Sequence, residues 1–224
     1  VNARMSNRSF GRWRRNPGLS QPIFGRFELV LAQNEKLARR FGELGARRSE
    51  SVGNLKIDAP PPPVDAAELG RLRQVFSGRP LLVAASTHEG EEEVLAAAHR
   101  RLRREASGFC TIIAPRHPER GLAVAEVMKG QGLSVVQRSQ AGMPGPECDI
   151  YLADTIGELG TLYALAPIAF IGGSLVERGG QNPIEAVRHG AAVLTGPSWH
   201  NFEDCYRALL AAGGSVGLAG RARA

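Results

Sequence analysis

Cysteine is scarce in this 224-residue chain, and the three present are an odd number set far apart: Cys110, Cys148 and Cys205. With no C-x-x-C pair and no clustered histidines, that spacing excludes a disulfide framework and a zinc site, and it fits a reducing compartment. Long apolar runs are missing too. The best stretch, 159–173, is interrupted by Pro167 and falls short of the ~18–20 residues that span a bilayer. No signal peptide is evident, and the chain opens on Val1 rather than Met, so further sequence upstream is expected. A G-x-S-x-G elbow and a Walker loop are absent, which argues against a hydrolase and a P-loop enzyme. So is a strict G-x-G-x-x-G, which disfavours a nicotinamide enzyme.

Acidic residues are absent from 1–27, where six arginines stand: Arg4, Arg8, Arg12, Arg14, Arg15 and Arg26. The whole chain carries 28 Lys and Arg against 22 Asp and Glu, so its net charge of +6 is entirely local and residues 28–224 sum to zero. The basicity is local, so the high pI does not make the body of the protein a nucleic-acid binder, and no motif supports one. The arginines interleave with Phe10, Trp13 and Phe24 without periodicity. That pattern reads either as a solvated, poorly ordered arm or as a surface for anionic headgroups, where each basic residue contributes about 1 kcal/mol.

What is present is a globular composition, with 43% hydrophobic and 22% charged residues. From 81 onward a short apolar run repeats with a polar turn and a longer amphipathic stretch. The runs are 81–85, 111–114, 133–136, 150–153, 168–171, 191–194 and, weakly, 215–218. Their continuous Val, Ile and Leu content suits strands covered on both faces. Between them, 91–105, 119–130, 156–164, 183–189 and 202–212 read as helices. Alternation of this kind predicts an α/β fold with a Rossmann-like, doubly wound parallel sheet. Before it, 28–32 reads as a strand and 34–44 as a helix capped by Asn34 and stopped by Gly45. Four prolines at 60–63 cannot continue either element and mark a domain boundary.

Ligands of open parallel sheets bind beyond the carboxyl ends of the strands, and polar, glycine-rich residues accumulate there. Ser86-Thr87-His88-Glu89, Arg116-His117, Asp154-Thr155-Ile156-Gly157-Glu158, Gly172-Gly173-Ser174 and Gly179 to Glu185 follow successive runs. Three have capping-box form: Ser86 with Glu89, Thr155 with Glu158, and Asn182 with Glu185. Each can simply satisfy a helix start. Alternatively, several helix amino ends around one crevice can hold a phosphate without a metal, and Arg116 would add a charge-assisted hydrogen bond of ~1.5–3 kcal/mol. His88 and His117 sit at strand ends, where a catalytic or phosphate-facing role is open. His99, in an Arg-rich helical stretch, is expected to be solvated, and His189 to meet a helix dipole.

Six segments carry a family resemblance: N-A-R-M-S-N-R-S-F at 2–10, G-N-L-K-I-D at 53–58, A-S-T-H-E-G-E at 85–91, I-A-P-R-H-P-E-R at 113–120, D-T-I-G-E-L-G at 154–160, and G-G-S-L-V-x-R-G-G-Q-N-P-I-E at 172–185. In that order they resemble the 3-deoxy-D-manno-octulosonic acid (Kdo) transferases, which move Kdo from CMP-Kdo to the lipid A precursor (lipid IVA) in lipopolysaccharide synthesis. The resemblance implies a GT-B glycosyltransferase. Residues 1–50 would be part of the amino-terminal acceptor domain, 51–63 a Pro-rich linker, and 64–224 the CMP-Kdo-binding domain, cut short at its end. It implies donor contacts for Arg116, His117, Gly157, Glu158, Gly173, Ser174, Asn182 and Glu185, with Glu185 accepting from the ribose hydroxyls. Lys56, Ser86 and Thr87 would lie at the hinge or touch the donor. No metal and no cofactor are implied, and transfer would invert configuration. The family's acidic base belongs to a region with no counterpart in 1–50, so this piece alone is expected to bind donor without turning over. The implied partners are CMP-Kdo, a phosphorylated lipid A precursor and an anionic membrane surface at the cytoplasmic face of the bacterial inner membrane, with no nucleic acid. Two other readings remain: another GT-B enzyme such as a UDP-sugar transferase or epimerase, and a non-catalytic nucleotide-binding module.

Overall fold

The computed structural model describes residues 1–213 and 215–217; Leu218, the last residue of the weak final run, lies outside them. The chain divides into two compact units, Val1–Pro60 and Pro61–Ala224.

In the first unit the arginine-rich segment is not a solvated arm. It forms two helices, α1 (Asn7–Arg14), whose Ser6 cap accepts from Ser9 N, and α2 (Pro17–Phe24). Aromatic contacts hold them. Trp13 meets Phe24 edge-on at 5.4 Å, Phe24 meets Phe41 at 5.9 Å, and the Arg40 guanidinium lies 4.9 Å from the Phe10 ring centre. Next come β1 (Val30–Ala32), α3 (Glu35–Glu43) and β2 (Ser49–Ser51), with β2 parallel to β1. Asn34 caps α3 by accepting from Leu37 N at 3.0 Å. The chain then leaves the helix at Gly45 with φ 110°.

The second unit opens with α4 (Ala66–Val75), a helix that the periodicity did not suggest, capped by Asp65. Then follow β3 (Leu81–Thr87), α5 (Glu92–Glu105), β4 (Cys110–Pro115), α6 (Gly121–Gly130), β5 (Val135–Gln137), β6 (Ile150–Leu152), α7 (Leu159–Leu165), β7 (Ile168–Ile171), α8 (Ile184–Arg188), β8 (Ala192–Thr195), α9 (Glu203–Ala211) and β9 (Ser215–Gly217). The seven strands form one sheet in the order β5-β6-β4-β3-β7-β8-β9 with every neighbouring pair parallel. Successive β3 residues feed opposite faces, as the strand period requires. Val83 and Ala85 join a core with Phe76, Ile112, Tyr151, Leu162 and Ile171, while Leu82 and Ala84 join Leu95, Ile113, Val124, Met128 and Phe170. This two-sided burial accounts for the unbroken apolar runs in the sequence.

His99 is a correction. It is fully buried, not solvated: Nδ1 lies 3.0 Å from Thr111 Oγ1 and Nε2 lies 3.5 Å from Asp149 Oδ1. Burial holds it below its ordinary value of 6.5, against the opposing pull of Asp149. Among the described residues no helix is long and apolar enough to cross a membrane.

Candidate functional site

Strand order reverses at β3, with β4 on one side and β7 on the other, so a crevice opens beyond the carboxyl ends of β3 and β7. Its floor is shaped by the backbone. Ser86 takes φ 55°, and the β3–β4 register slips between Ala85 and Thr87, a bulge that re-aims the chain at the rim. Gly172 answers from β7: a Cβ there would stand 2.3 Å from Ser86 O, so only glycine permits this approach. The Ser86–Glu89 capping box does not form. Glu89 is exposed, and the glutamate that accepts from His88 N, at 2.9 Å, is Glu91.

Glu91 reaches further. Its fully buried carboxylate also accepts from Gly173 N at 2.7 Å, Ser174 N at 3.1 Å and Leu175 N at 3.0 Å. The backbone donors of Gly173 and Ser174 are thus engaged within the protein. The Ser174 hydroxyl donates to Ile171 O at 2.5 Å and accepts from Gly196 N at 2.9 Å. Thr87 is buried as well, its hydroxyl donating to Glu92 Oε1 at 3.1 Å.

Cations stand above this floor. His88 is half-buried, 6.2 Å from the His117 ring, with Nε2 3.4 Å from Gln181 Nε2. A Cβ on Gly173 would lie 3.3 Å from His88 Nε2 and 3.4 Å from Arg178 Cβ, which puts both side chains over one glycine. Burial holds His88 below 6.5; Arg178, His117 and Arg116 push the same way, while Glu91 opposes them. Arg116 and Arg178 are exposed, and neither has an ion pair among the described residues.

The other expected residues divide between the ends of β6 and β7, which β4 and β3 separate in the sheet. Beyond β6, Gly157 is exposed with φ 89° and open space around it. Glu158 is half-buried and bound to Arg138, with Oε1 2.5 Å from Nη2, and it accepts from the Thr155 hydroxyl. Arg138 also meets Glu68 at 2.7 Å and Tyr151 OH at 2.8 Å. Burial would lower its pKa, but these three partners hold it above the ordinary arginine value. Before α8, Asn182 donates to Glu185 Oε1 at 3.0 Å and accepts from Ile184 N at 3.2 Å. The helices here are short, seven residues in α7 and five in α8, so the charges at the crevice belong to side chains more than to helix dipoles. Lys56 lies in a 3-10 turn, Leu55–Ile57, and its side chain is outside the described residues. Strands β6, β4, β3 and β7 are consecutive in the sheet, so their ends form one rim of about 14 Å at ~4.8 Å per strand.

A family profile described as 3-Deoxy-D-manno-octulosonic-acid transferase (kdotransferase) matches residues 1–59. The chain is 33% identical over 210 residues to the 3-deoxy-D-manno-octulosonic acid transferase of Rickettsia bellii (strain RML369-C), covering 94% of this chain and 50% of that protein. It is equally identical, 33% over 213 residues, to the transferase of the same name from Haemophilus influenzae, again at 94% and 50% coverage. Along 94% of its length the chain is similar to the Kdo transferases. It spans about half the length of the curated relatives it matches. Among solved structures it is similar to the C-terminal CMP-Kdo binding domain of WaaA from Acinetobacter baumannii, with a TM-score of 0.64 and 29% identity, covering 69% of this chain and 83% of that one.

Two residues of this chain carry no sign of their role in local spacing. Arg178 stands in the open inside the G-G-S-L-V-x-R motif, one glycine-rich turn from Gly173, and that motif could have singled it out. Glu91 gives no local signal, because three of its four backbone partners lie 82–84 residues away.

Proposed function

We propose that the second unit binds CMP-Kdo as the donor half of a GT-B Kdo transferase. The carrying observation is the pair of guanidiniums, Arg116 and Arg178, gathered with the His117 ring about half-buried His88 at the β3–β7 crevice. CMP-Kdo carries a phosphodiester and a sugar carboxylate, two negative charges that suit two guanidiniums with no ion pair among the described residues. Each charge-assisted hydrogen bond contributes ~1.5–3 kcal/mol. His88, held below 6.5, is neutral at pH 7 and offers a ring nitrogen rather than a charge. Asn182 and Glu185 take the ribose, Gly157 leaves the backbone open along the nucleotide, and Glu158, fixed by Arg138, borders it.

In transfer, an acceptor hydroxyl attacks the anomeric carbon, the bond to the phosphate oxygen breaks, and CMP leaves with its charge on Arg116 and its neighbours. Inversion follows from a single displacement. Glu91, Glu158 and Glu185 are each already hydrogen-bonded within the unit, so we assign none of them the base that deprotonates the acceptor. For the acceptor we propose a phosphorylated lipid A precursor, lipid IVA, at the cytoplasmic face of the inner membrane. The exposed arginines of α1, Arg8, Arg12 and Arg14, suit its phosphates and an anionic surface.

Thermal denaturation of this chain with nucleotides tests the reading. CMP is expected to raise the midpoint more than UMP or GMP, and Glu185→Ala to abolish the rise. A UMP preference would select another GT-B nucleotide-sugar enzyme instead, and equal responses to all three would remove the cytidine assignment.

A further inference from the structure

We propose that Glu91 is a positioning residue of the donor crevice, an internal anion that fastens the end of β3 to the loop after β7 and so sets where the donor's phosphate can rest. The inference builds on the donor-binding reading above and adds a residue to it. Four backbone N–H groups converge on this one carboxylate: His88 and Gly173 on Oε2 at 2.9 and 2.7 Å, Ser174 and Leu175 on Oε1 at 3.1 and 3.0 Å. Three successive N–H groups after a strand are a ready anion cradle. Here the protein fills that cradle itself, with a side chain that solvent does not reach.

Two consequences follow for the ligand. First, the floor offers the donor phosphate no free N–H at Gly173 to Leu175 and presents a carboxylate beneath them. The phosphate is therefore carried by the side chains above, Arg116 and Arg178. Second, those side chains depend on Glu91 for their placement. His88 is held through its own backbone N–H, and Arg178 packs over Gly173, whose N–H makes the shortest of the four bonds. Loss of the carboxylate frees both walls of the crevice at once. Glutamine in its place keeps the shape but has a single acceptor oxygen, and its amide N–H groups would face the backbone donors.

The test compares Glu91→Gln, Glu91→Asp and Met128→Ala in the full chain. Met128 is fully buried in the core beneath α6 and supplies a loss of stability with no link to the crevice. CMP affinity is read by calorimetry, and the amide resonances of His88, Gly173, Ser174 and Leu175 by NMR. Glu91→Gln is expected to weaken CMP binding ten- to a hundredfold and to move all four amides, with Glu91→Asp in between. Met128→Ala is expected to melt earlier yet bind CMP within twofold of the parent. CMP binding by Glu91→Gln within twofold of the parent overturns the proposal, as do four unmoved amides. If Glu91→Gln does not fold, Glu91→Asp carries the same comparison, with the same two readouts and the same twofold threshold. A parent chain that prefers UMP defeats the cytidine reading alone, and Glu91 stands if its variants weaken UMP equally. A parent chain that binds neither nucleotide defeats both.

Discussion

The two flanks of the rim fix a glutamate in opposite ways. At β3 and β7 the carboxylate of Glu91 is held by four main-chain donors, and while Arg120 pairs with Glu92, Arg116 and Arg178 have no ion pair among the described residues. At β6 the carboxylate of Glu158 is held by Arg138, which is shared with Glu68 and Tyr151. The first arrangement leaves positive charge to spare at the crevice; the second consumes it. That difference separates a surface able to receive an anion from one that supports the fold, although both stand at strand ends.

The comparison can be broken from either side. Arg138→Ala takes the cation from Glu158 and leaves buried Glu68 with Arg71 alone, and is expected to lower unfolding free energy by about 3 kcal/mol in urea titration. Nucleotide binding should suffer less than stability. Gly172→Ala drives a methyl into Ser86 O and is expected to cost about 1–3 kcal/mol. It should also weaken CMP binding, because the β3 bulge must shift. A smaller effect sharpens the contrast. His88 and His99 are both held below 6.5 in the folded chain, so below that pH the unfolded chain takes up more protons. Their contribution to stability is complete above 6.5 and is lost as pH falls toward the folded values. Melting temperature should therefore drop between pH 7.5 and 5.5, and the drop should shrink in His88→Gln.

Much of this was legible from the residues. Runs such as 81–85 and 150–153 are continuous because both faces of the sheet are covered, and their polar ends mark the rim. Asn182 with Glu185 and Thr155 with Glu158 do meet, since their partners lie three residues apart. What sequence spacing concealed was tertiary. The Ser86 bulge turned the expected pairing with Glu89 into one by Glu91, whose other partners come from across the chain. The arginine-rich start folds because Trp13 finds Phe24 and Phe24 finds Phe41, contacts without periodicity. His99 is buried because Thr111 and Asp149 arrive from other elements. The helix α4 was hidden behind the prolines before it, although Asp65 and Glu68 already spelled its cap.

Because every neighbouring strand in the large sheet is parallel, none can pair through a tight turn, and β3 meets β7 by joining Val83 to Ala169 and Ala85 to Ile171. More than eighty residues must be synthesised before that seam can close. A growing chain on the ribosome consequently passes through a long interval in which β3 has an open edge, and contact order of this kind slows folding. The β3–β7 rim is therefore one of the last features this unit completes as it is made.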